Sequence, residues 1–514
     1  MHVGNLPPEV LATILKLICE ERHYRINKWI SRMGILAVCR QWRLLALPMV
    51  YKKVSIDNID KVRTNMDLMT DTMAHYPRAL NIWVSCDDGN SVRRLQDVVE
   101  KLHAKKSMLH RVFNLHLHVD FTALPTDGDS DDDNDDSEVS LVETEKLQEV
   151  ACSLKTLFPK ISTLHCHINI AEAAGLVFET ALLKQYVSQL VKVEVNSLAL
   201  TPEMCFTDTI SDLSVWWYPD SGSIPSINTN RMTKLELAGI DEAFDWSTFA
   251  PKDSTESNVL YFPVLQHIFV DVWYMPEDAD NDDEESEGTL VVPRNAFSNV
   301  LNAPRLRVLK LRLCPFTCSF IASIAAPKVF KILEIFTLSD LRFEFFGFRL
   351  SEAAKKLFTK YYDEHSTHGM IDDMKFVNEL QSTKELEYHS LSVHIDGPID
   401  EIIHRINWPR VTRLFISTPI SLCNVLLLIG SLLPNLASLK VENIIVEEQD
   451  DGSLVIPELC DSSLATPIEC NLKTLEFGFD TSRDCVKDLS EDFSRFMIQT
   501  VKSLQCVAFS NSKR

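Results

Sequence analysis

The chain has 514 residues, 45% of them hydrophobic and 24% charged, which is the composition of a folded protein with a large core and not of a disordered one. Its 51 Lys and Arg against 73 Asp and Glu give a net charge of −22, which argues against non-specific binding to nucleic acid or to an anionic membrane. Glycine is scarce, at 14 residues, and neither GxGxxG nor GxxxxGK[ST] occurs. We therefore expect no nucleic-acid partner, no membrane partner and no cofactor.

Most of the negative charge is concentrated in two runs. Residues 127–138 and residues 277–287 each hold eight acidic residues and no basic one, so the rest of the chain carries a net charge of only −6. Like charges in a run repel one another and stay solvated. The runs are therefore predicted to be disordered acidic inserts in the fold.

The cysteines and the apolar segments favour an intracellular protein. Thirteen cysteines are scattered without a CxxC pair, which is typical of a reducing compartment. The N-terminus lacks the basic start of a secretory signal, and the longest apolar run, residues 420–433, is too short to span a bilayer. We expect a cytoplasmic or nuclear location, and the sequence leaves the choice between them open.

The first 56 residues show a pattern of their own. Leu6 and Pro7 precede a stretch, residues 9–21, whose apolar residues have helical spacing. A second apolar segment places Val38, Trp42 and Leu45 on one helix face, and this helix is expected to end near Pro48. Residues 51–56 then read as a first strand. The pattern predicts two outer helices that lead into a sheet.

The motif LPPEVLATIL followed by AVCRQWRLLALPMVYKKVSI resembles an F-box of the form common in fungal F-box proteins, over about residues 5–56. One departure from a compact F-box is the longer, more polar spacer at residues 19–33. The resemblance implies contact with a Skp-family adaptor. The residues that match the motif are Leu6, Pro7, Glu9, Val10, Ile14, Val38, Cys39 and Trp42.

The remaining chain contains a degenerate repeat. Eleven segments follow the apolar pattern ψ-x-x-ψ-x-ψ, and the copy from Pro327 departs from it at Glu334, where an apolar residue is expected. Six copies begin with a proline two residues before the first apolar position: Pro159, Pro263, Pro304, Pro327, Pro409 and Pro434. The five others start at Val112, Leu190, Met232, Leu472 and Leu504. Each copy is predicted to be a short strand.

Helical patterns lie between the predicted strands, at residues 145–157, 172–187, 351–362, 399–406, 420–433 and 485–501. The alternation resembles an irregular leucine-rich-repeat (LRR) solenoid, although its period is mostly longer than usual. The sequence therefore predicts an α/β protein with an F-box-like helical module at residues 1–56 and an LRR-like solenoid at residues 57–514. The alternative is an ordinary pair of parallel α/β domains.

Side chains between the apolar positions of each strand should share the concave face of such a solenoid. They are His116, His118, His165, His167, Glu194, Asn196, Glu236, Phe269, Asp271, Lys310, Arg312, Phe415, Lys440, Glu442 and Glu476. This mixed face suits a protein target, and equally an ordinary solvated sheet. The predicted target-binding residues are His116, His118, His165, His167, Phe269, Asp271, Lys310, Arg312, Phe415 and Lys440.

Four of these residues raise a question of metal binding. If the strands with His116/His118 and His165/His167 are neighbours, four imidazoles cluster, and zinc accepts such ligands. The alternative, which we favour, is that polar residues simply alternate with apolar ones, so no metal site is expected. The sequence also lacks HExxH, GxSxG and kinase signatures, so we expect no catalytic residues and no enzyme.

The F-box resemblance implies the substrate-recognition subunit of an SCF-type (Skp–cullin–F-box) ubiquitin ligase. The adaptor would link the chain to a cullin, and the solenoid would hold an unknown protein target for ubiquitin-dependent degradation. Two alternatives stay open. The chain could bind the adaptor without serving a ligase, or it could be an LRR-like interaction scaffold whose N-terminal helices only cap the solenoid.

Overall fold

A computed structural model describes most of the chain. The described residues are 7–20, 40–57, 76–86, 91–104, 106–121, 141–168, 173–204, 206, 208–218, 225, 227–240, 244, 246–249, 259–272, 300–312, 331–336, 341–349, 351–364, 370–384, 386–397, 399, 403–445, 447–448, 454–455, 468–479 and 486–509. The chain divides into two units, Met1–Met232 (unit 1) and Thr233–Arg514 (unit 2).

Unit 1 contains six parallel strands that neighbour one another in sequence order. They are β1 (Lys53–Asp57), β2 (Ala79–Cys86), β3 (Asn114–Phe121), β4 (Thr163–Ile168), β5 (Lys192–Asn196) and β6 (Asp212–Trp216). Its α-helices are α1 (Pro8–Glu20), α2 (Arg40–Val50), α3 (Ser91–Ala104), α4 (Lys106–Leu109), α5 (Leu141–Leu157) and α6 (Ala173–Tyr186). Helix α3 contacts β2 and β3, and helix α6 contacts β3 and β4, so helices cover one face of this sheet.

Unit 2 is built on a ten-stranded sheet, in the order β7-β9-β11-β12-β13-β14-β15-β16-β19-β20. The strands of unit 2 are β7 (Lys234–Ile240), β8 (Val259–Tyr261), β9 (His267–Val272), β10 (Val300–Asn302), β11 (Val308–Arg312), β12 (Ile332–Phe336), β13 (Leu341–Phe346), β14 (Ser390–Ile395), β15 (Val411–Ser421), β16 (Ser438–Ile445), β17 (Glu447–Glu448), β18 (Leu454–Val455), β19 (Thr474–Phe479) and β20 (Cys506–Phe509). Only β13 runs antiparallel to its neighbours in the described part of this sheet. The short pairs β8–β10 and β17–β18 stand apart from it.

The helices of unit 2 lie in the connections between its strands. They are α7 (Glu352–Glu364), α8 (Met370–Ser382), α9 (Leu422–Leu427), which continues as a π-helical turn (Leu428–Leu432), and α10 (Val486–Thr500). A 3-10 turn, Ile403–Arg405, precedes β15. In each unit, strands of a mostly parallel sheet thus alternate with helices, as in a solenoid.

Proline has a physical role in the repeat. The N–H of Ile161 donates to the carbonyl of Phe158 across a turn in which Pro159 holds the second position. Proline suits that position because its ring fixes φ at the value the turn needs. The same bond closes the turns Phe262 to Leu265, Ala303 to Leu306, Trp408 to Val411 and Leu433 to Leu436. The motif is therefore a turn that delivers the chain into the next strand.

The strand pattern sorts side chains between two faces. On β3, Leu115, Leu117 and Val119 are buried, whereas His116 and His118 alternate with them and are partly exposed. We call the face that carries His116 and His118, and the equivalent face of the unit 2 sheet, the open face. Most of the side chains that the sequence placed on the concave face belong to it.

The α/β class and the alternation of parallel strands with helices are confirmed, and all eleven copies of the repeat form strands. The copy at Pro327 corrects one expectation. Leu333 pairs with Leu309 and Glu334 pairs with Lys310, so the strand frame lies one residue later than predicted. Glu334 therefore belongs to the open face, and its apolar neighbour Leu333 is buried.

Several helix boundaries differ from the prediction. Helix α2 runs past Pro48 to Val50. The segment 420–433 begins as the end of β15 and turns helical only at Leu422, where Ser421 caps the helix by accepting a bond from Asn424 N–H. Of the helix predicted at residues 399–406, the described part is 3-10 and not α-helical, as in the turn Ile403–Arg405, and residues 400–402 lie outside the described residues.

Parts of the prediction fall outside the described residues. These are both acidic runs, residues 21–33 of the F-box spacer, and the motif residues Leu6, Val38 and Cys39. The boundary at residue 56 stays a prediction. Across the described ranges, no helix combines the length and the apolar character needed to cross a membrane.

Candidate functional site

Four histidines meet on the open face of unit 1. Strands β3 and β4 are parallel and in register, so His116 lies beside His165 and His118 beside His167. The rings of His116 and His165 stack, with centroids 4.2 Å apart and planes 4° from parallel. The rings of His118 and His167 are 6.3 Å apart and tilted. The sequence thus placed these four residues correctly.

One carboxylate on the next strand joins two of the imidazoles. Glu194 of β5 has one oxygen, Oε2, 2.6 Å from His165 Nδ1 and the other, Oε1, 3.3 Å from His167 Nε2. A carboxylate accepts hydrogen bonds, so His165 Nδ1 is the donor of the short contact, whereas His167 Nε2 lies at ion-pair distance. Glu194 therefore contacts both rings and orients that of His165. We call His116, His118, His165, His167 and Glu194 the imidazole cluster.

The electrostatics keep part of this cluster neutral. Burial, together with the charges of His165 and Lys53, lowers the pKa of His116 to about 4, although Glu194 acts in the opposite direction. His116 is consequently uncharged at neutral pH. The His116–His165 pair is therefore a stack of two aromatic rings, one of them neutral, beside one carboxylate.

Two tryptophans flank the histidines. The ring of Trp83 on β2 lies 4.0 Å from that of His118. At the carboxyl ends of β3 to β6 a cavity of about 330 Å³ opens between His118, His167 and Trp216, with Val119, Cys166, Ile168 and Asn196 completing its lining. Trp216 is among the most exposed large apolar side chains of the described chain, at 44%.

The histidines do not assemble a metal site in the part of the chain that the structure describes. No group of three or more His, Cys, Asp or Glu there has the geometry to hold a metal ion. Zinc needs ring nitrogens that converge on one point, whereas the His116 and His165 rings lie face to face and His165 Nδ1 is engaged by Glu194.

Asn196, which the sequence placed on the open face, instead points into unit 1. It is buried, and both its backbone N–H and its side-chain amide donate to Glu179 of helix α6, at 2.9 and 2.7 Å. Its amide also donates to the carbonyl of Ile168. Burial raises the pKa of Glu179 to about 8 against the lowering effect of these bonds. Asn196 thus belongs to a buried polar pair.

The predicted target-binding residues on β9 and β11 form the first group on the open face of unit 2, and Lys310 among them is engaged in an ion pair. Phe269 lies in register between Glu236 and Lys310. Lys310 Nζ is 2.6 Å from a carboxylate oxygen of Glu334, which is only 2% exposed. Burial and the adjacent Glu334 raise the pKa of Glu344, which faces Glu334 across β12 and β13.

Asp271 and Arg312 fit the expected face less well. They are register partners on β9 and β11. Asp271 is only 6% exposed, so it is not accessible to a partner as predicted. The side chain of Arg312 lies outside what the structure describes.

The second predicted group surrounds Phe415. Its ring lies 3.9 Å from the ring of His394, and Lys440 Nζ lies 5.1 Å from its centroid. Lys440 also pairs with Glu476 at 3.0 Å. Burial and the charge of Arg342 lower the pKa of His394 to about 4, so this imidazole too is neutral at pH 7. Phe415 and Lys440 are thus partly exposed within a layer of cross-strand contacts.

The N-terminal motif residues lie mostly on the surface. Pro7, Glu9 and Val10 are exposed, and Ile14 and Trp42 are half-buried. The core of the helix pair comes from neighbouring positions, namely Leu11, Leu15 and Ala46. The most exposed apolar residue is Leu44 of α2, at 60%, which is not part of the predicted set.

Sequence reasoning missed Trp83, Trp216 and His394, because it did not assign strands β2, β6 and β14. A signal existed for β6, since Ile210, Leu213 and Val215 follow the same apolar spacing as the other copies. Comparison of the chain with known protein families gives no match, and comparison with curated proteins gives no significant match. The F-box resemblance accordingly rests on the motif residues alone.

Proposed function

We propose that the chain is the substrate-recognition subunit of an SCF-type ubiquitin ligase, which binds a Skp-family adaptor through residues 5–56 and a protein target through its open faces. The observation that carries the proposal is the distribution of burial in the motif. Val10 is 44% exposed and Leu44 60% exposed, whereas the residues beside them form the core of the helix pair. Apolar side chains left on the surface of a small helical unit are suited to a partner.

The open faces support the second half of the proposal. Their basic residues are matched by carboxylates, as in the pairs Lys310–Glu334, Lys440–Glu476 and Lys192–Asp212. The same faces also carry aromatic rings such as Trp216 and Phe415. A face with balanced charge and accessible aromatic rings suits a folded or extended polypeptide better than a polyanion. The chain would contribute proximity, and the chemistry would belong to the enzymes it assembles.

The test is co-purification from cells. The tagged full-length chain is compared with a Val10→Asp/Leu44→Asp variant, which places charge on the exposed helix surface and leaves the buried residues intact. A matched control is Ile498→Asp, because Ile498 is 58% exposed on α10 of unit 2. We expect a Skp-family adaptor and a cullin with the wild type and with Ile498→Asp, and neither with the double variant.

Each result has a defined meaning. Adaptor without cullin would indicate a non-ligase assembly. Absence of the adaptor from the folded wild-type chain would overturn the proposal. It would favour the alternative in which the N-terminal helices only cap the solenoid. The cap is the second candidate, because α2 ends at Val50 and β1 begins only three residues later at Lys53, so the helix pair stands directly beside the first strand.

A further inference from the structure

The cavity at the carboxyl ends of β3 to β6 has a chemical character of its own. The rings that line it on the open face are the imidazoles of His118 and His167 and the indole of Trp216. Val119, Cys166 and Ile168 also line it, but they alternate with the histidines and their side chains are buried, so they contribute the ends of β3 and β4. A lining dominated by rings favours an aromatic occupant.

The cavity offers a charged occupant few partners. None of the described residues that line it is a Lys, Arg, Asp or Glu. Glu194, the carboxylate beside His167, is not part of this lining and already accepts a hydrogen bond from His165 Nδ1. The amide of Asn196 is directed at Glu179 and at the Ile168 carbonyl. A charged side chain in the cavity would lose hydration and contact mainly rings, which is costly.

The volume of the cavity further limits the class of occupant. A volume of about 330 Å³ is at the lower end of the range for ligand sites. This space accommodates one large side chain more readily than a cofactor. Among apolar side chains, an aromatic one gains most here, because aromatic rings attract one another in stacked and edge-to-face arrangements.

We propose that this cavity is a subsite that takes one aromatic side chain, Trp, Tyr or Phe, from a partner polypeptide. Naming that partner as the ligase target rests on the function proposed above. The subsite itself rests on the lining of the cavity. Trp216 is the residue that would stack on the incoming ring from the exposed side.

The test uses ligand-observed saturation-transfer NMR on the purified full-length chain. The probes are N-acetyl-tryptophanamide, N-acetyl-leucinamide and N-acetyl-argininamide at equal concentration. We expect saturation of the tryptophan ring protons, a weaker effect on the leucine probe and none on the arginine probe. The tryptophan signal should be lost in Trp216→Ala and kept in Trp216→Phe, which preserves an aromatic wall.

Tyr261→Ala is the matched control, because Tyr261 is an aromatic residue of unit 2 with 41% exposure, close to that of Trp216. It should leave the signal unchanged. Equal saturation of Trp216→Ala and wild type, an arginine effect as strong as that of tryptophan, or no effect of any probe would each overturn the subsite. The adaptor does not contact Trp216 in the proposed function, so Trp216→Ala should still co-purify with it. Failure of the subsite is thereby separated from failure of the ligase proposal.

Discussion

Glu179 and Asn196 show how a single buried pair ties two elements of unit 1 together. Helix α6 supplies the carboxyl group and the end of β5 supplies two donors, so the pair fixes the helix against the strand. The cost is a carboxyl group that prefers to be neutral, with its pKa raised to about 8. His116 affects stability in the opposite direction to Glu179. Its pKa is lowered, so the fold becomes less stable as the pH falls from 6.5 towards 4.

At the residue scale we therefore predict that Glu179 makes the folded protein less stable as the pH rises. The folded-state pKa lies above the ordinary value of 4.5, so the folded protein binds the extra proton between those pH values and loses stability as pH rises. Glu179→Gln imitates the protonated form and should flatten the dependence of the urea midpoint on pH between 5 and 8.

Glu145→Gln is the control for this measurement, because Glu145 is an exposed carboxylate on helix α5 of the same unit. It should keep the wild-type slope. A Glu179→Gln chain with the same slope as the wild type would show that Glu179 is ionised in the folded state.

At the scale of elements, the turn-and-strand motif could be predicted from the sequence because it meets both a local and a tertiary requirement. Proline fits the turn, and the apolar positions that follow must face the helices. Strand β2 escaped prediction because Pro77 stands only three residues before buried Leu80, whereas five of the six proline-containing copies have a spacing of five. The reversed direction of β13 could not be predicted, since strict alternation of Leu341, Phe343 and Phe345 fits either direction.

The end of β13 offers a test at this scale. Gly347 has φ +68°, and a Cβ built there would overlap the imidazole of His389. Gly347→Ala should lower the free energy of unfolding by about 1–2 kcal/mol from the left-handed backbone alone. Gly430→Ala serves as the comparison, because its Cβ would stand 3.8 Å from Ile468 and glycine is unfavourable in a helix.

Urea titration of both variants checks the prediction. Gly430→Ala should be at least as stable as the wild type. If the two alanine variants had equal midpoints, the positive φ of Gly347 would not be a constraint on the fold.

On the scale of the whole molecule, the acidic runs differ from the rest of the chain in their net charge. The runs 127–138 and 277–287 hold most of the net charge, whereas the open faces carry ion pairs between basic and acidic side chains. Self-repulsion in such runs opposes compaction and is screened by salt.

We predict that replacing every Asp and Glu in both runs by Asn and Gln leaves the chain folded. The variant should elute from an anion exchanger at lower salt. Its urea midpoint should equal that of the wild type at high ionic strength and be no lower at low ionic strength. A large loss of stability at high salt would mean that the acidic side chains make specific contacts.

The antiparallel strand β13 has a consequence for how such a chain can change over evolutionary time. Because β13 runs opposite to both neighbours, β12 and β14 run in the same direction. They also share a register through β13, since Leu333 faces Phe345 and Phe345 faces Leu391. Strand β13 is therefore a cassette: an ancestor or relative that lacked residues 337–349 could pair β12 directly with β14, with helices α7 and α8 as the crossover that parallel strands need, and keep every apolar side chain on its own face.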